Sequence, residues 1–436
     1  METIEVNKKD YVNVIDNQPT INIGMIGSVS NGKSSITEKL TGIKTQKHSK
    51  EQERNITIKL GYANAKIFKC NNCPPPQCYQ PHHSSIMTAS CKFCEEDLVL
   101  IKHVSIIDCP GHVLLMATML NGTCVMDNTI MVESASNKEP AQQTKEHLRA
   151  IGMVGLENSI TCLNKLDLIK KDQAIQKINT LKEQLKGTMA ETSPIIPVAA
   201  NYGINVDVLC EYICKYIKEP VRTYDGNLKM IIIRSFNVNK QDVSYENIEG
   251  GVIGGTIMNG VIHVGDKVCI YPGIVNKNDN TSKHNWSYKP LAGTVLSINS
   301  ETNNLEFAVP GGLLGVQLDI DPGLATKDGL VGNILTSNNN NNEYKIYEIL
   351  IIELELLDGV DLTKIASKDI IVINSNACNE KCEIVKIKNN EAKLKLLEKP
   401  ICVKNNDYIT LSKNVSNNII IIGRGKILDG FESLRK

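Results

Sequence analysis

The run Gly27-Ser28-Val29-Ser30-Asn31-Gly32-Lys33-Ser34 restricts what this chain can be more than any other stretch. It follows an apolar, strand-like run at 21–26 and opens a helix-like run at 34–40. A strand that ends in a glycine-rich loop and feeds a helix, in the pattern G-x-x-x-x-G-K-[ST], makes a phosphate cradle. Glycines let the backbone curl so that successive N–H groups face one phosphate, and the helix N-terminus adds its positive end. The lysine reaches the outer phosphates, and the hydroxyl of Ser34 takes one place on Mg²⁺. The expected phosphate contacts are Gly27, Ser30, Asn31, Gly32, Lys33, Ser34 and Ser35, joined by Gly111 further along.

The loop sits in a region of alternating periodicity. Apolar runs recur at 99–107, 129–132, 160–163 and 195–198. Between the later ones, Ala174, Ile175, Ile178, Leu181 and Leu185 step by three and four and predict one apolar helix face. A second helix is predicted over 206–217, stopped by Pro220. This alternation predicts a mostly parallel sheet covered by helices on both faces. After Pro220 the grammar changes to short β-rich runs divided by Gly, Asn and Asp, and Asn259-Gly260 predicts a tight hairpin. The asparagine run at 338–342 marks a boundary between two such β units. At 436 residues the chain calls for two to four domains. The fold expected is an α/β P-loop domain followed by two all-β barrels: an extension at 1–19, a nucleotide domain at 20–220, and barrels at 221–337 and 343–436.

Two further motifs follow the loop in order. Asp108-Cys109-Pro110-Gly111-His112 closes a strand; an aspartate there suits Mg²⁺ held through water, and Gly111 lets a backbone N–H approach the terminal phosphate. Asn164-Lys165-Leu166-Asp167 follows the strand at 160–163. The Asp167 carboxylate can accept two hydrogen bonds from guanine N1–H and its exocyclic amine, a donor pair that adenine lacks. Because an unpaired buried carboxylate is costly, the same geometry rejects ATP. Asn164 can tie this loop to the phosphate loop, and the stem of Lys165 can cover the base.

The ordered set resembles the translational GTPases. The stretch from Arg54 to Lys66, with Met116–Gly122, Cys210–Ile213, Ile233–Lys240 and Pro310–Val316, closely resembles the gamma subunit of eukaryotic and archaeal translation initiation factor two. The resemblance covers nearly the whole chain beyond residue 19, apart from the asparagine run. It implies a GTPase, slow without a partner, followed by two barrels as in elongation factor Tu. It implies the core of a heterotrimer, holding an alpha subunit through the second domain and a beta subunit through the first. Such a trimer, with GTP bound, carries initiator methionyl-tRNA to the small ribosomal subunit, and hydrolysis to GDP triggers release. A GTPase-activating protein and a nucleotide exchange factor are the implied regulators. Thr57 resembles the switch threonine that joins Ser34 and Asp108 around Mg²⁺, and His112 the residue that orients the attacking water. Asn55 and Tyr62 lie where the family's switch meets tRNA, although Tyr62 could equally be a strand residue packed on the sheet.

Cys70-x₂-Cys73 and Cys91-x₂-Cys94 stand 17 residues apart, a spacing that suits tetrahedral Zn²⁺ on four thiolates within an insert at about 69–97. Cys78, His82 and His83 compete as ligands, and a reduced, metal-free loop is the alternative. The resemblance places a zinc knuckle in this same interval. Four ligands leave no open position, so the metal would be structural.

Lys+Arg and Asp+Glu number 48 each, so the chain is not a bulk polycation that coats nucleic acid, although a local basic surface for one shaped RNA remains open. No apolar run is long enough to predict a membrane span, and 1–19 has no hydrophobic signal core, so a cytoplasmic location is expected. The resemblance also exposes departures. Ser28 and Asn31 stand where histidines are usual and Val113 where an acid is common; the resemblance implies that Ala199 and Ala200 belong to the guanine-contacting loop, largely through a backbone N–H, with Ala199 where a serine is common. These leave GTP binding intact and put the hydrolysis rate in question. Two other readings compete: a nucleotide-binding scaffold with little intrinsic GTPase, and an elongation-type carrier of other aminoacyl-tRNAs.

Overall fold

The structure, a computed structural model, describes residues 14–45, 57, 59–112, 115–137, 148, 151–153, 155–156, 159–240, 244–278, 282–337, 343–357, 366–388, 390–415 and 418–435. Asn55 and Val113 lie outside the described residues.

Seven strands form the first sheet: β1 (Ile21–Ile26), β2 (Gly61–Lys69), β3 (Tyr79–His83), β4 (Val99–Asp108), β5 (Asn128–Ser134), β6 (Ser159–Asn164) and β7 (Ile195–Pro197). Their spatial order is β3-β2-β4-β1-β5-β6-β7. From β4 to β7 the neighbours run parallel, and β2 and β3 extend the sheet antiparallel beyond β4. Every residue of β1, β5 and β6 is buried, as strands covered on both faces require.

After a short first helix, α1 (Val14–Asn17), the cover comes from α2 (Lys33–Thr41), α3 (Met116–Thr123), α4 (Lys171–Leu185) and α5 (Val206–Tyr216). Ile36 and Leu40 of α2 and Leu209 and Ile213 of α5 pack in one core with Ile21, Ile23 and Met25. Met116, Met119 and Leu120 of α3 and Leu181 and Leu185 of α4 pack in a second core with Ile26 and Met131. The buried ammonium of Lys102 donates to the Ile213 carbonyl at 3.2 Å and to that of Ile217, satisfying the last carbonyls of α5 before Pro220. The apolar face expected of α4 is shorter than its spacing implied. Ile175 is exposed, because the helix turns Lys177 inward, where its ammonium donates to the Asn137 carbonyl at 2.5 Å.

Two closed rings follow. In the first, β8 (Lys229–Phe236), β9 (Val252–Asn259), β10 (Lys267–Lys277), β11 (Trp286–Ser300), β12 (Leu314–Leu318) and β13 (Ile334–Ser337) pair in the order β10-β13-β8-β9-β12-β11, and β11 pairs back on β10. In the second, β14 (Lys345–Leu356), β15 (Ile370–Ser375), β16 (Cys378–Lys388), β17 (Glu391–Leu396), β18 (Tyr408–Val415) and β19 (Asn418–Glu432) pair as β17-β16-β15-β18-β19-β14, closed by β14 on β17. Closure removes the open edges that a free sheet would expose. The hairpin expected at Asn259-Gly260 does not form. The strand after it, Ile262–His263, pairs with Phe307–Ala308 instead of folding back on β9. Gly260 turns in the left-handed region (φ 74°) and gives its N–H to the Thr223 carbonyl, tying the turn to the linker before β8.

The first barrel is fixed to the first sheet by buried polar contacts. Gln18 Nε2 donates to the Val309 and Gly311 carbonyls at 2.7 and 3.0 Å. Asn22 Nδ2 donates to Thr256 Oγ1 at 2.8 Å, and that hydroxyl donates onward to the Gly312 carbonyl. Ser105 Oγ accepts the Leu313 N–H at 3.1 Å. Gly311 and Gly312 adopt positive φ, and a Cβ on either would lie 2.2 Å from the Thr20 or Pro19 carbonyl oxygen. Only glycine permits that approach.

Candidate functional site

At the C-terminal ends of β1, β4, β5 and β6 a cavity of about 360 Å³ opens. Its lining includes Ser30, Gly32, Lys33, Ser34 and Ser35 from the phosphate loop and α2, with Thr57 and Gly111. The base loop contributes Asn164, Lys165, Asp167, Ala200 and Asn201. Crevices at strand C-termini are where open α/β sheets place ligands. The three motifs, far apart in sequence, therefore meet at one wall. Val29 and Asn201 also line it and were not singled out by sequence; only their position beside motif residues hints at them. Gly27, Asn31 and Ala199 stand behind the lining. The exposed His112 follows Gly111 but lies outside it.

The phosphate loop encloses a buried cation. Lys33 Nζ donates to the Gly27 and Ser28 carbonyls at 2.8 and 2.9 Å. Burial pulls its pKa down, opposed by the carboxylates of Asp108 and Glu133. Gly111 leaves no room for a side chain, since a Cβ there would sit 2.5 Å from Lys33 Nζ and 2.7 Å from the Gly27 oxygen. Loop N–H groups, a helix N-terminus and this ammonium together form an anion site.

Beside it, oxygens converge. Ser34 Oγ donates to Asp108 Oδ2 at 2.6 Å and lies 3.2 Å from Thr57 Oγ1. Thr45 Oγ1, which no motif flagged, also donates to Asp108 Oδ2 at 2.6 Å. Burial pushes the Asp108 carboxyl up, and these hydroxyls pull it back. Among the described residues its Oδ1 is buried without a hydrogen-bond partner. An orphaned carboxylate oxygen within a ring of hydroxyls fits a hard divalent cation with oxygen ligands.

In the base loop, Asn164 Nδ2 donates to the Asn31 carbonyl at 3.0 Å while its Oδ1 accepts the Ala200 N–H at 3.1 Å. One amide thus joins the phosphate loop, the Asn164–Asp167 turn and the Ala199–Ala200 turn. Lys165 holds a left-handed φ of 64°, and Asp167 is exposed at the cavity's edge.

Tyr62 belongs to β2 and packs on the second core, with its hydroxyl oxygen buried. Burial raises its pKa, and Arg234 and Asp328 of the first barrel lie close enough to act on it. The sulfurs of Cys70, Cys73, Cys91 and Cys94 all lie within 4.8 Å of one another. Gln80 Nε2 donates to Cys91 Sγ at 3.2 Å, a contact that favours a thiolate. The competing residues point elsewhere. Among the described residues Cys78 is not one of the sulfurs that converge, His83 Nδ1 bonds Ser85 Oγ at 2.7 Å, and His82 meets the Phe68 ring edge-on. The four-cysteine group is compatible with a structural zinc.

A phosphate loop, a switch aspartate and a guanine-type loop on this sheet, with two six-strand barrels behind, define a translational GTPase. Residues 18–219 match the family of the elongation factor Tu GTP binding domain, and residues 344–427 that of the C-terminal part of initiation factor eIF2 gamma. The gamma subunit of eukaryotic translation initiation factor 2 from Schizosaccharomyces pombe is 39% identical over 429 residues, covering 96% of this chain and 95% of the relative. Subunit 3 of the same factor from Drosophila melanogaster is 39% identical over 434 residues, covering 96% and 90%. The gamma subunit from Encephalitozoon cuniculi is 38% identical over 426 residues, covering 97% and 95%. The chain belongs to the gamma-subunit family of eukaryotic translation initiation factor 2, and is a GTP-binding initiation-factor subunit. Among solved structures, the bacterial selenocysteine-specific elongation factor EF-Sec shares the fold at TM-score 0.70 and 19% identity, covering 94% of this chain and 58% of that one. Elongation factor SelB from Methanococcus maripaludis, in complex with GppNHp, matches at 0.68 and 19%, covering 95% and 80%.

Replacing Asp167 by Asn puts a donor where the base needs an acceptor. Asp167→Asn should weaken GTP on the order of 100-fold while admitting the xanthine nucleotide. Competition binding with GTP and XTP checks this, and unchanged preference for GTP refutes the base-loop assignment.

Proposed function

We propose that this chain delivers initiator methionyl-tRNA to the small ribosomal subunit in its GTP-bound state, as the core of a heterotrimer with alpha and beta subunits. The observation that carries the reading is near-full-length identity to gamma subunits, together with an intact nucleotide site. The alpha subunit is assigned to the first barrel and the beta subunit to the nucleotide domain. A GTPase-activating protein and an exchange factor act on it, in the cytoplasm. The division into 20–220, 221–337 and 343–436, with 1–19 as an extension, belongs to the same reading. Within the described residues, no helix is long and apolar enough to cross a membrane.

The mechanism follows from the residues in place. Loop N–H groups from Gly27 to Ser35 and the Lys33 ammonium bind the β- and γ-phosphates; the Gly27 and Ser28 carbonyls hold that ammonium at the cavity wall. Ser34 and Thr57, with Asp108 beside them, would hold Mg²⁺, which when bound would neutralise charge on the phosphate oxygens. Asp167 reads guanine, Lys165 covers its face, and the Ala200 N–H completes the base site with Ala199 behind it. Thr57 and the Gly111 N–H gather at the γ-phosphate, and His112 orients the attacking water. Loss of that phosphate frees both segments, and with them part of the tRNA surface. Asn55 is assigned to that surface. Tyr62, with its hydroxyl buried beside the barrel seam, is assigned to holding the switch strand in place rather than to touching tRNA. Cys70, Cys73, Cys91 and Cys94 would hold structural Zn²⁺, bracing the end of β2 against the loop before β4.

Three outcomes test this reading. With GTP the assembled factor should retain methionylated initiator tRNA and release it with GDP, and should discriminate against elongator methionyl-tRNA. Equal binding of both tRNAs in a filter assay sinks the initiator assignment and favours an elongation-type carrier. His112→Ala should slow partner-stimulated phosphate release on the order of 100-fold with GTP affinity preserved. An unchanged rate removes His112 from the chemistry, and the absence of any stimulated hydrolysis in the unsubstituted factor supports the scaffold alternative. Elemental analysis should find about one zinc per chain, lost in Cys73→Ser with a lowered thermal midpoint; a zinc-free protein with the same midpoint rejects the metal.

A further inference from the structure

Behind the phosphate loop lies a carboxylate that neither the nucleotide motifs nor the mechanism uses. Glu133, near the C-terminal end of β5, is fully buried. Asn31, at the crest of the loop and 1% exposed, turns its side chain away from the cavity. Its Nδ2 donates to the Val132 carbonyl at 2.8 Å and to Glu133 Oε2 at 3.2 Å. Asn137 Nδ2 bridges the other side, donating to Glu133 Oε1 at 3.1 Å and to Asn31 Oδ1 at 3.2 Å. Asn137 is itself held by Lys177 of α4 through its carbonyl. On the far side, the Asn31 carbonyl takes the bond from Asn164.

A hydrogen-bond chain thus runs from the base loop through the phosphate loop to α4, and the Asn31 side chain is the link at its centre. A buried carboxylate costs free energy unless its oxygens are satisfied, and bonds to a charged acceptor are stronger than neutral ones. Here that acceptor grips the phosphate-loop side chain that cannot contact the ligand.

We propose that Glu133 is a positioning residue of the nucleotide site: it anchors Asn31 and through it fixes the phosphate-loop crest in the conformation that receives the β-phosphate. The bland alternative is a satisfied core carboxylate that stabilises the domain as a whole. The two differ in which ligands they affect. An anchored crest matters to nucleotides with a β-phosphate, whereas general stability matters equally to GMP, which reaches the base loop without one.

The test is a double-mutant cycle of Glu133→Gln and Asn31→Ala in the full chain, read as affinity for GDP with Mg²⁺ and for GMP. Glu133→Gln also removes a negative charge near the phosphates. That effect acts without Asn31, is the same in both backgrounds, and drops out of the cycle. With GDP, Glu133→Gln should weaken binding about tenfold more when Asn31 is present than when it is Ala, the scale of a bond to a charged group. With GMP the two backgrounds should agree. Equal effects on GDP in both backgrounds overturn the proposal, as does the same coupling with GMP. If Glu133→Gln gives no cooperative unfolding transition, the cycle is run with Glu133→Asp, which keeps the charge and draws the carboxylate back by one methylene. Coupling to Asn31→Ala confined to GDP then supports the anchor, and additivity overturns it.

Discussion

Strand β1 lies between two parallel neighbours, with Met25 opposite Asp108 of β4 and Ile26 opposite Met131 of β5. That register brings the end of β4 level with the start of the phosphate loop and puts the β5 crest directly behind it. A buried ammonium, Lys33, and a buried carboxylate, Asp108, then share one small volume, each shifted by burial and each offsetting the other. Neither charge is tolerable there alone. The nucleotide site is thus a property of strand order first and of side-chain identity second.

The motifs were legible because their chemistry is encoded over short spans: a loop of fixed length, an aspartate at a strand end, an asparagine three residues before an aspartate. Their convergence follows once the region is read as a parallel sheet. What stayed hidden depends on pairing across distance. Thr45 reaches Asp108 from 63 positions away, and Glu133 sits at the end of an apolar run where it looks like an ordinary strand-end polar residue. The cysteine ligands were narrowed by spacing, but setting Cys78 and His83 aside needed the convergence of the other four sulfurs and the bond from Ser85 to His83.

The misreadings share a cause. Asn259-Gly260 carries the local chemistry of a hairpin, yet the chain beyond it pairs with Phe307–Ala308, a partner no local rule anticipates. Ile175 fits a helical stripe, yet α4 is rotated to let Lys177 reach the Asn137 carbonyl. In both cases a tertiary hydrogen bond or pairing outweighs a propensity worth only tenths of a kcal/mol to about 1 kcal/mol. Zero net charge had excluded a bulk polycation and left open a local basic surface.

The seam between sheet and first barrel bears on how that geometry can respond to nucleotide. Among the described residues, Gln18, Asn22, Asn64 and Ser105, with Gly311 and Gly312, make buried polar contacts of this seam, and none of them belongs to the phosphate loop, to Thr57 or to the turn after Asp108. The switch side touches the barrel differently. Lys59, two residues past Thr57, reaches Asp328 at 3.3 Å with half its side chain in solvent, and Asp328 also accepts from Arg234 Nε and the Ser235 N–H. An exposed ion pair is weak and screened by salt, whereas buried amide contacts are costly to break. Buried amide contacts therefore tie the barrel to the sheet, and a half-exposed ion pair ties it to Lys59, two residues past Thr57.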